Sequence, residues 1–505
     1  MPSLLSNARW NVLAFACTLG AHVLVVPVVV GLIGLEGFGR AGLVIAAWAP
    51  LVLVGTVLGQ ATTREIAARW TTGAPGNAQS MASAALALCS LACLVGGMAF
   101  LWVGPEFLHA LDQNPSATPW RAEIAALAPG WVAQQFGMIF QATAAARQDF
   151  RTVARISALS ALATLILTLA ITHILPTPEG YLLGTSASFA VGALAAAMIA
   201  RRAAPELFGM PRWHRDAVAA LLHFGKWQTL AHIAGTLGNQ MDRYVLATLA
   251  SPVVIGQFNA ANRLQEAAYA GVVKAAEVLL PRFGADTKSS ATGHEQLFLV
   301  ASTAVMLFSG AVLAPMVILS EPLMRLWVGP TAAEGGALLL CTLVVGGLIG
   351  CGSNAASLYL MGTGDTAPVA WMAVVYSVAT IVLTIVTLKL FGPWAAGVGL
   401  ALASIVRVLL ALALIKLRAF STMRLSELAA STLLPLAVAL SLAVAARTLM
   451  PVERIHGWWT LGVSYAAAML VTGTSASLAL LACPFGRRVV REWAAARHHR
   501  TTERA

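Results

Sequence analysis

Apolar stretches long enough to cross a bilayer follow one another from about residue 10 to about residue 482, and they set the solvent in which this chain must fold. A hydrocarbon core about 30 Å thick takes roughly 20 helical residues, and every backbone polar group inside it has to be satisfied within the segment. Hydrophobic residues make up 58% of the 505 and charged residues 10%, which leaves little for soluble structure. The pattern predicts an all-α polytopic membrane protein. About fourteen spans fit, near residues 10–33, 41–61, 82–103, 122–145, 154–174, 181–200, 222–249, 253–280, 297–319, 336–361, 368–389, 394–416, 428–449 and 458–482.

A net charge of +11 raises the question of a nucleic-acid partner, and the placement of the cations answers it. With these spans, about 21 of the 32 Lys and Arg fall on one side, about 6 on the other and about 5 inside helices. The rich side includes Arg64, Arg69, Arg147, Arg151, Arg201, Arg202, Lys416, Arg418 and the tail from Arg487 to Arg504. This positive-inside distribution argues against nucleic acid and places both termini of a multi-pass protein in the cytoplasm. A bacterial inner membrane fits the Arg-rich, Ala-rich composition. The first span has no convincing cleavage site and is expected to be retained. The basic tail reads as a topology anchor that can touch anionic membrane lipids. Six cysteines, all within or at the ends of spans, report packing rather than a disulfide frame.

Two halves echo each other. Leu101-Trp102-Val103-Gly104-Pro105 returns as Leu326-Trp327-Val328-Gly329-Pro330, 225 residues later. Ala163-Thr164 and Leu167-Thr168 return as Ala379-Thr380 and Leu383-Thr384 at an offset of 216, which Asp149 and Asp365 share. The differing offsets require insertions, and the common order carries the signal. The expected organisation is a six-helix lobe at 1–216, a second in the same orientation at 217–425, two unpaired helices at 426–482 and a basic cytoplasmic tail at 483–505. Duplicated halves with a pseudo-twofold axis along the membrane normal are the signature of a transporter that works by alternating access. The longest loops, around Gly104–Trp120 and Arg201–Asp216, are too short to bury a separate core. No HExxH, GxSxG, Walker or CxxC motif occurs, so no catalytic residue, metal site or cofactor is expected.

Charge inside hydrocarbon is costly, and intramembrane ionisable residues normally face protein, water or substrate. They concentrate in the hairpin of spans seven and eight. Gln228, His232, Gly235, Asn239 and Asp242 recur at helical spacing on one face, flanked by Lys226 and Arg243. Asn259, Arg263, Glu266, Lys274 and Glu277 follow on the next span. With the turn near Ser251–Val253, Asp242, Arg243 and Arg263 fall roughly 15 Å deep. Asp242 and Arg243 are expected to pair with Arg263 and Glu266, or to exchange partners during transport. The competing reading is a set of salt bridges that only join helices. Replacing a buried pair by packed apolar side chains is often neutral or stabilising, which favours function. In the first half Asn11, Thr18 and His22, then Thr56, Gln60 and Arg64, then Gln134, Gln141 and Gln148, follow helical spacing. They read mainly as interhelical glue, with Asn11, Gln60, Arg64 and Gln141 as cavity candidates. Arg407 is a further cation inside a span, with no partner assigned.

The stretch from Gly225 to Phe283, with Asp242-Arg243, then Gly256, Phe258 and Ala260, and Pro281 near its end, resembles the start of the second lobe of bacterial lipid-linked oligosaccharide flippases. Leu32 to Val44, with Gly39 and Gly42, resembles the matching hairpin of the first lobe, and Phe391 to Ser404 resembles the approach to span twelve. The resemblance implies the multidrug/oligosaccharidyl-lipid/polysaccharide exporter superfamily, two six-helix bundles in a V, and within it the polysaccharide (Wzx-type) branch. It implies translocation of polyprenyl-diphosphate-linked glycans for surface polysaccharide, O-antigen or exopolysaccharide, driven by an ion gradient, alongside polysaccharide-assembly proteins. The peptidoglycan-precursor branch ranks lower, because it carries cavity arginines on its first two spans and here none follows Arg9 on the first.

On this reading Lys226, Arg243, Arg263 and Lys274 would bind the diphosphate. Gln228, His232 and Asn239 would meet sugars, and Asp242, Glu266 and Glu277 would form the salt-bridge switch coupled to H⁺ or Na⁺. The alternatives are a cation-coupled multidrug exporter, which predicts an acidic and aromatic cavity, and, from another class, a membrane glycosyltransferase or polysaccharide polymerase or ligase, which needs a larger extramembrane loop.

Overall fold

The computed structural model describes residues 4–71, 75–112, 120–147, 149–208, 214–279, 283, 291–421, 423–450, 452–482 and 486–487. The described residues are helical with no strand. In chain order the helices are α1 (Leu4–Thr71), α2 (Pro75–Leu111), α3 (Trp120–Ala146), α4 (Phe150–Ile174), α5 (Pro178–Ala203), α6 (Arg215–Leu249) and α7 (Pro252–Ala276). There follow α8 (Ala291–Ile318), α9 (Ser320–Trp327), α10 (Pro330–Gly350), α11 (Asn354–Gly362), α12 (Ala367–Phe391), α13 (Ala396–Arg418), α14 (Leu425–Leu449) and α15 (Trp458–Ala482).

Among the described residues, ten helical stretches are long and apolar enough to cross a membrane. One of them lies in α1, which is two helices meeting at Gly34, where φ is 73°. That left-handed conformation is cheap for glycine alone, so Gly34 is where the first apolar stretch gives way to the second. The more polar α3, α6 and α7 have 27, 35 and 25 residues, enough to span, but fall outside the apolar set. The fourteen-span count therefore stays a proposal. Helix starts carry ordinary caps. Asp149 accepts from the Thr152 amide at 3.1 Å ahead of α4, and Thr177 accepts from the Gly180 amide at 3.2 Å ahead of α5, with Pro178 at the first helical position.

The chain forms two units, residues 1–259 and 260–505, and the division falls within α7. The lobe boundary expected at 216–217 rests on the repeat, a matter that compactness does not decide. In the first unit α3 and α4 pack on α5, and α1 packs on α3, α4 and α6. In the second, α10 and α12 pack on α13, while α14 and α15 dock on α8. The last two helices are held by polar contacts as well as apolar ones. Tyr465 Oη donates to the Val312 carbonyl at 2.6 Å, and Ser302 Oγ lies 3.1 Å from Thr432 Oγ1.

The threonine echo is built into this packing. A Cβ on Gly184 of α5 would come within 2.8 Å of Thr168 Cα on α4, and one on Gly399 of α13 within 2.6 Å of Thr384 Cα on α12. Both threonines are fully buried, and the glycines that meet them keep the same order along the chain. Within hydrocarbon, helices gain little from burying apolar surface, and small residues that let backbones touch take over as the source of attraction. The same device brings Gly130 of α3 against Ser186 of α5, and Gly346 of α10 against Ala401 of α13.

The pentapeptide behaves otherwise. Its first copy is helical, inside an α2 that runs through Pro105 to Leu111, and Trp102 is 78% exposed. The loop expected from Gly104 to Trp120 is shortened accordingly. The second copy ends α9, buries Trp327, turns at Gly329 with φ 117° and starts α10 at Pro330. Proline suits a helix start and is tolerated further inside only where packing supports the kink, so tertiary context decides between the two.

Candidate functional site

The hairpin expected to carry the chemistry is present: α6 ends at Leu249 and α7 begins at Pro252. In the first unit the start of α7 lies against the second helix of α1, because Gly39 and Gly256 have no side chains. A Cβ on Gly39 would strike the Pro252 carbonyl, and one on Gly256 the Leu35 carbonyl. Tyr244 Oη joins α6 to the same part of α1 by donating to the Ala46 carbonyl at 2.7 Å.

Asp242 and Arg243 sit inside this packing, 5% and 7% exposed. Arg243 Nε donates to Asn259 Oδ1 at 2.8 Å, one terminal nitrogen donates to Gln240 Oε1 at 2.6 Å, and the guanidinium carbon is 5.7 Å from the centre of the Phe258 ring. Gly42 leaves the space that the Asn259 amide occupies. Neutral acceptors and an aromatic face thus share the guanidinium charge. These contacts tie Arg243 into the packing of α1, α6 and α7.

His232 and Gln60 do face outward. Gln60 is exposed and His232 half-buried, and their side chains meet at 3.3 Å, joining α1 to α6. Arg64, one turn further along α1, is exposed too. Gln141 donates to Ser157 Oγ at 3.1 Å and ties α3 to α4, as interhelical glue would. His22 is satisfied within its own helix by the Thr18 carbonyl at 2.8 Å. The side chains of Asn11, Lys226, Gln228 and Asn239 lie outside the described residues, as does Gln148.

In the second unit α7 continues with a polar face of its own. Arg263 and Glu266 approach to 3.9 Å, Asn262 donates to Glu266 at 2.7 Å, and Lys274 bonds Glu277 at 2.8 Å. Glu266 and Lys274 are exposed, Arg263 and Glu277 half-buried. An exchange of partners between Asp242 or Arg243 and Arg263 or Glu266 remains a proposal.

Three groups escape the sequence reading. Arg40 and Glu123 form an ion pair at 2.6 Å, with side chains 14% and 1% exposed, and Trp120 lies 4.7 Å from the guanidinium. The two residues are 83 apart, and nothing local marks them as partners. The amides Gln257, Asn262 and Gln265 are buried on α7. Only Asn262 and Gln265 stand at helical spacing, and the lack of charge on all three gives no reason to single them out. The third is the Tyr376 ring of α12, whose centre lies 5.1 Å from the guanidinium carbon of Arg407 on α13.

Among the described residues no cluster of His, Cys, Asp and Glu could hold a metal ion. Apolar spans follow one another in both units, and the chain is a multi-pass membrane protein.

No curated protein matches the chain. Its fold is shared with a multidrug resistance MATE family transporter of the MOP superfamily in its inward-facing conformation, at 14% identity and a TM-score of 0.70, over 81% of this chain and 95% of that one. It is shared with the lipid II flippase MurJ in an inward closed conformation, at 13% identity and a TM-score of 0.71, over 94% and 98%. A further MATE structure in complex with MaD3S aligns at 16% identity and a TM-score of 0.59, over 82% and 94%. At such identities the likeness fixes the helical architecture and nothing finer. The family described as polysaccharide biosynthesis protein matches residues 4–285, which span the first unit and the whole α6–α7 hairpin. With the fold and that hairpin in agreement, the chain belongs to the polysaccharide biosynthesis protein family.

Proposed function

We propose that the protein is a flippase that translocates polyprenyl-diphosphate-linked oligosaccharide across the bacterial inner membrane by alternating access, with both termini cytoplasmic. The observation that carries this reading is polar exposure on helices of membrane length. Gln60, Arg64 and His232 in the first unit, and Arg263, Glu266, Lys274 and Glu277 in the second, are all reachable from outside the protein. Hydrocarbon would make such faces expensive, so they line water, and a water-filled path suits a headgroup of sugars and phosphate. Arg263 and Lys274 serve the phosphates as charge-assisted donors, and His232 and Gln60 offer neutral hydrogen bonds to sugar hydroxyls. Glu266, with Arg263 beside it, is the carboxylate that couples transport to H⁺ or Na⁺. Family membership supports a role in polysaccharide assembly.

The test is a vesicle assay with purified protein and a fluorescent polyprenyl-diphosphate oligosaccharide, scored by attack of a membrane-impermeant glycosidase. Protein-dependent transfer between leaflets, lost in Arg263→Ala with protein level maintained, supports the reading. Equal transfer in protein-free vesicles under an imposed proton or sodium gradient overturns it. A second reading, a peptidoglycan-precursor flippase, is favoured by the near-complete alignment with the lipid II flippase. The same vesicles loaded with that precursor separate the two.

A further inference from the structure

A cleft of about 370 Å³ opens between α2 and α3 in the first unit. Its walls are two helical stripes, Leu94, Met98 and Leu101 from α2 and Val132 and Phe136 from α3, and Trp48 of α1 closes the bottom. That floor is firmly packed. Trp48 is 2% exposed, and its ring lies against Trp131 and Phe100 at centroid distances of 4.8 and 4.4 Å. Gly97 lets α2 close on the floor, because a Cβ there would lie 3.3 Å from the Trp131 indole. The rim is open and apolar. Leu94 and Met98 are 64% and 52% exposed, and Leu91 and Val95 beside them are exposed too, so this side of the unit faces hydrocarbon.

Length and direction narrow the occupant. From Ser90 to Leu101 the cleft runs about 16 Å along α2, near half of a hydrocarbon core about 30 Å thick. A trough parallel to the helices and one leaflet long fits a single extended hydrocarbon chain. Beyond Leu101 the surface turns polar. Trp102 is largely exposed, as at a membrane interface, and a little over a turn further on Glu106 of α2 meets Arg121 of α3 at 3.8 Å. The pair bridges the same two helices that wall the cleft. Its side chains are 71% and 81% exposed, so it contributes little to stability and both charges are open to a ligand. A carboxylate and a guanidinium side by side complement a headgroup that carries an ammonium and a phosphate. Glu106 disfavours a headgroup whose only charge is negative.

We propose that this cleft binds a membrane phospholipid with a phosphoethanolamine headgroup, one acyl chain lying along Leu94, Met98 and Val132, the phosphate on Arg121 and the ammonium on Glu106. On the positive-inside topology, which puts Arg64 and Arg69 just ahead of α2 in the cytoplasm, the lipid belongs to the outer leaflet. It is a bound lipid and not transported cargo, so the site stands apart from the flippase reading. A chain held between α2 and α3 braces the outer half of the first unit.

Native mass spectrometry tests this on the full-length protein, delipidated in detergent and titrated with dioleoyl phosphatidylethanolamine, dioleoyl phosphatidylglycerol or a polyprenyl phosphate. The wild type is expected to retain one phosphatidylethanolamine about two- to fivefold more tightly than phosphatidylglycerol, the range that an exposed charge pair supports. Glu106→Gln should abolish that preference, and Arg121→Gln should weaken both phospholipids. Met98→Trp, at a side chain that already faces outward, should fill the cleft and weaken phosphatidylethanolamine at least about tenfold. Leu94→Trp is the second filling variant, and the melting temperature of each variant checks that it has folded. Equal retention by the wild type and both filled variants overturns the cleft, and equal binding of the two phospholipids by the wild type overturns the headgroup assignment. Polyprenyl phosphate bound more tightly than phosphatidylethanolamine, and lost in Met98→Trp, would give the cleft to a substrate tail and overturn the phospholipid assignment.

Discussion

Removing the Asn259 amide is the sharpest probe of the joint that holds Arg243. Asn259→Ala deletes the acceptor 2.8 Å from Arg243 Nε and leaves a charged donor in a side chain only 7% exposed. Hydrogen bonds to charged groups contribute about 1.5–3 kcal/mol in water-soluble proteins, and the Gln240 contact at 2.6 Å and the Phe258 ring still share the charge. Side-chain hydrogen bonds in membrane helices average lower, because the unfolded reference finds partners too, so the expected loss is about 1–2 kcal/mol. Asn259→Asp should recover part of that loss: it keeps an acceptor and adds a charge opposite the guanidinium, while the carboxylate oxygen that replaces the buried Asn259 Nδ2 has no donor there. The assay is thermal and denaturant unfolding in detergent, with Arg243→Met and the double variant completing a cycle whose coupling should reach about 1 kcal/mol. An Asn259→Ala protein as stable as wild type, or an Asn259→Asp protein weaker than Asn259→Ala, would refute the assignment of Arg243 to a structural role.

Other perturbations follow from the same packing. Gly256→Ala sets a methyl against the Leu35 carbonyl, which cannot move aside as a side chain could, and should cost about 1–3 kcal/mol or block folding, checked by the yield of monodisperse protein. Gly184→Ala and Gly399→Ala strike Thr168 and Thr384 in the same way, so their melting temperatures should fall together; a drop in one alone would contradict the structural repeat. Arg40→Ala strands Glu123, which is 1% exposed on its side chain, and should destabilise by about 3–5 kcal/mol, whereas Arg40→Met with Glu123→Leu should recover most of the loss in the same unfolding assay.

What is legible in the sequence is whatever repeats or stays local. Helix positions, the turn before Pro252 and the Thr168/Thr384 echo all rest on periodicity and small-residue placement within one or two helices. Glycines 39, 42 and 256 stand out as a resemblance, and their reason, close approach to a backbone or an amide, becomes visible only when α1 and α7 are side by side. Charge read along one helix is a weaker guide. Asp242 and Arg243 are conspicuous as charges within a span, yet Arg243 bonds amides rather than waiting in the open. Which face of α6 is covered depends on α1, some two hundred residues away. Arg40 and Glu123 escape notice for the same cause, and Arg407 is conspicuous by itself while its neighbour Tyr376, on another helix, has no local signal to join it.

The pentapeptide's double life has a practical consequence for anyone exchanging halves of this chain. Aligning the copies on that string in place of the buried threonines shifts the join by nine residues, about two and a half helical turns. Where the join falls inside a continuous helix, as at the first copy, the half turn left over rotates the rest of that helix, so a chimera spliced there would turn its buried face away from the neighbours it packs against.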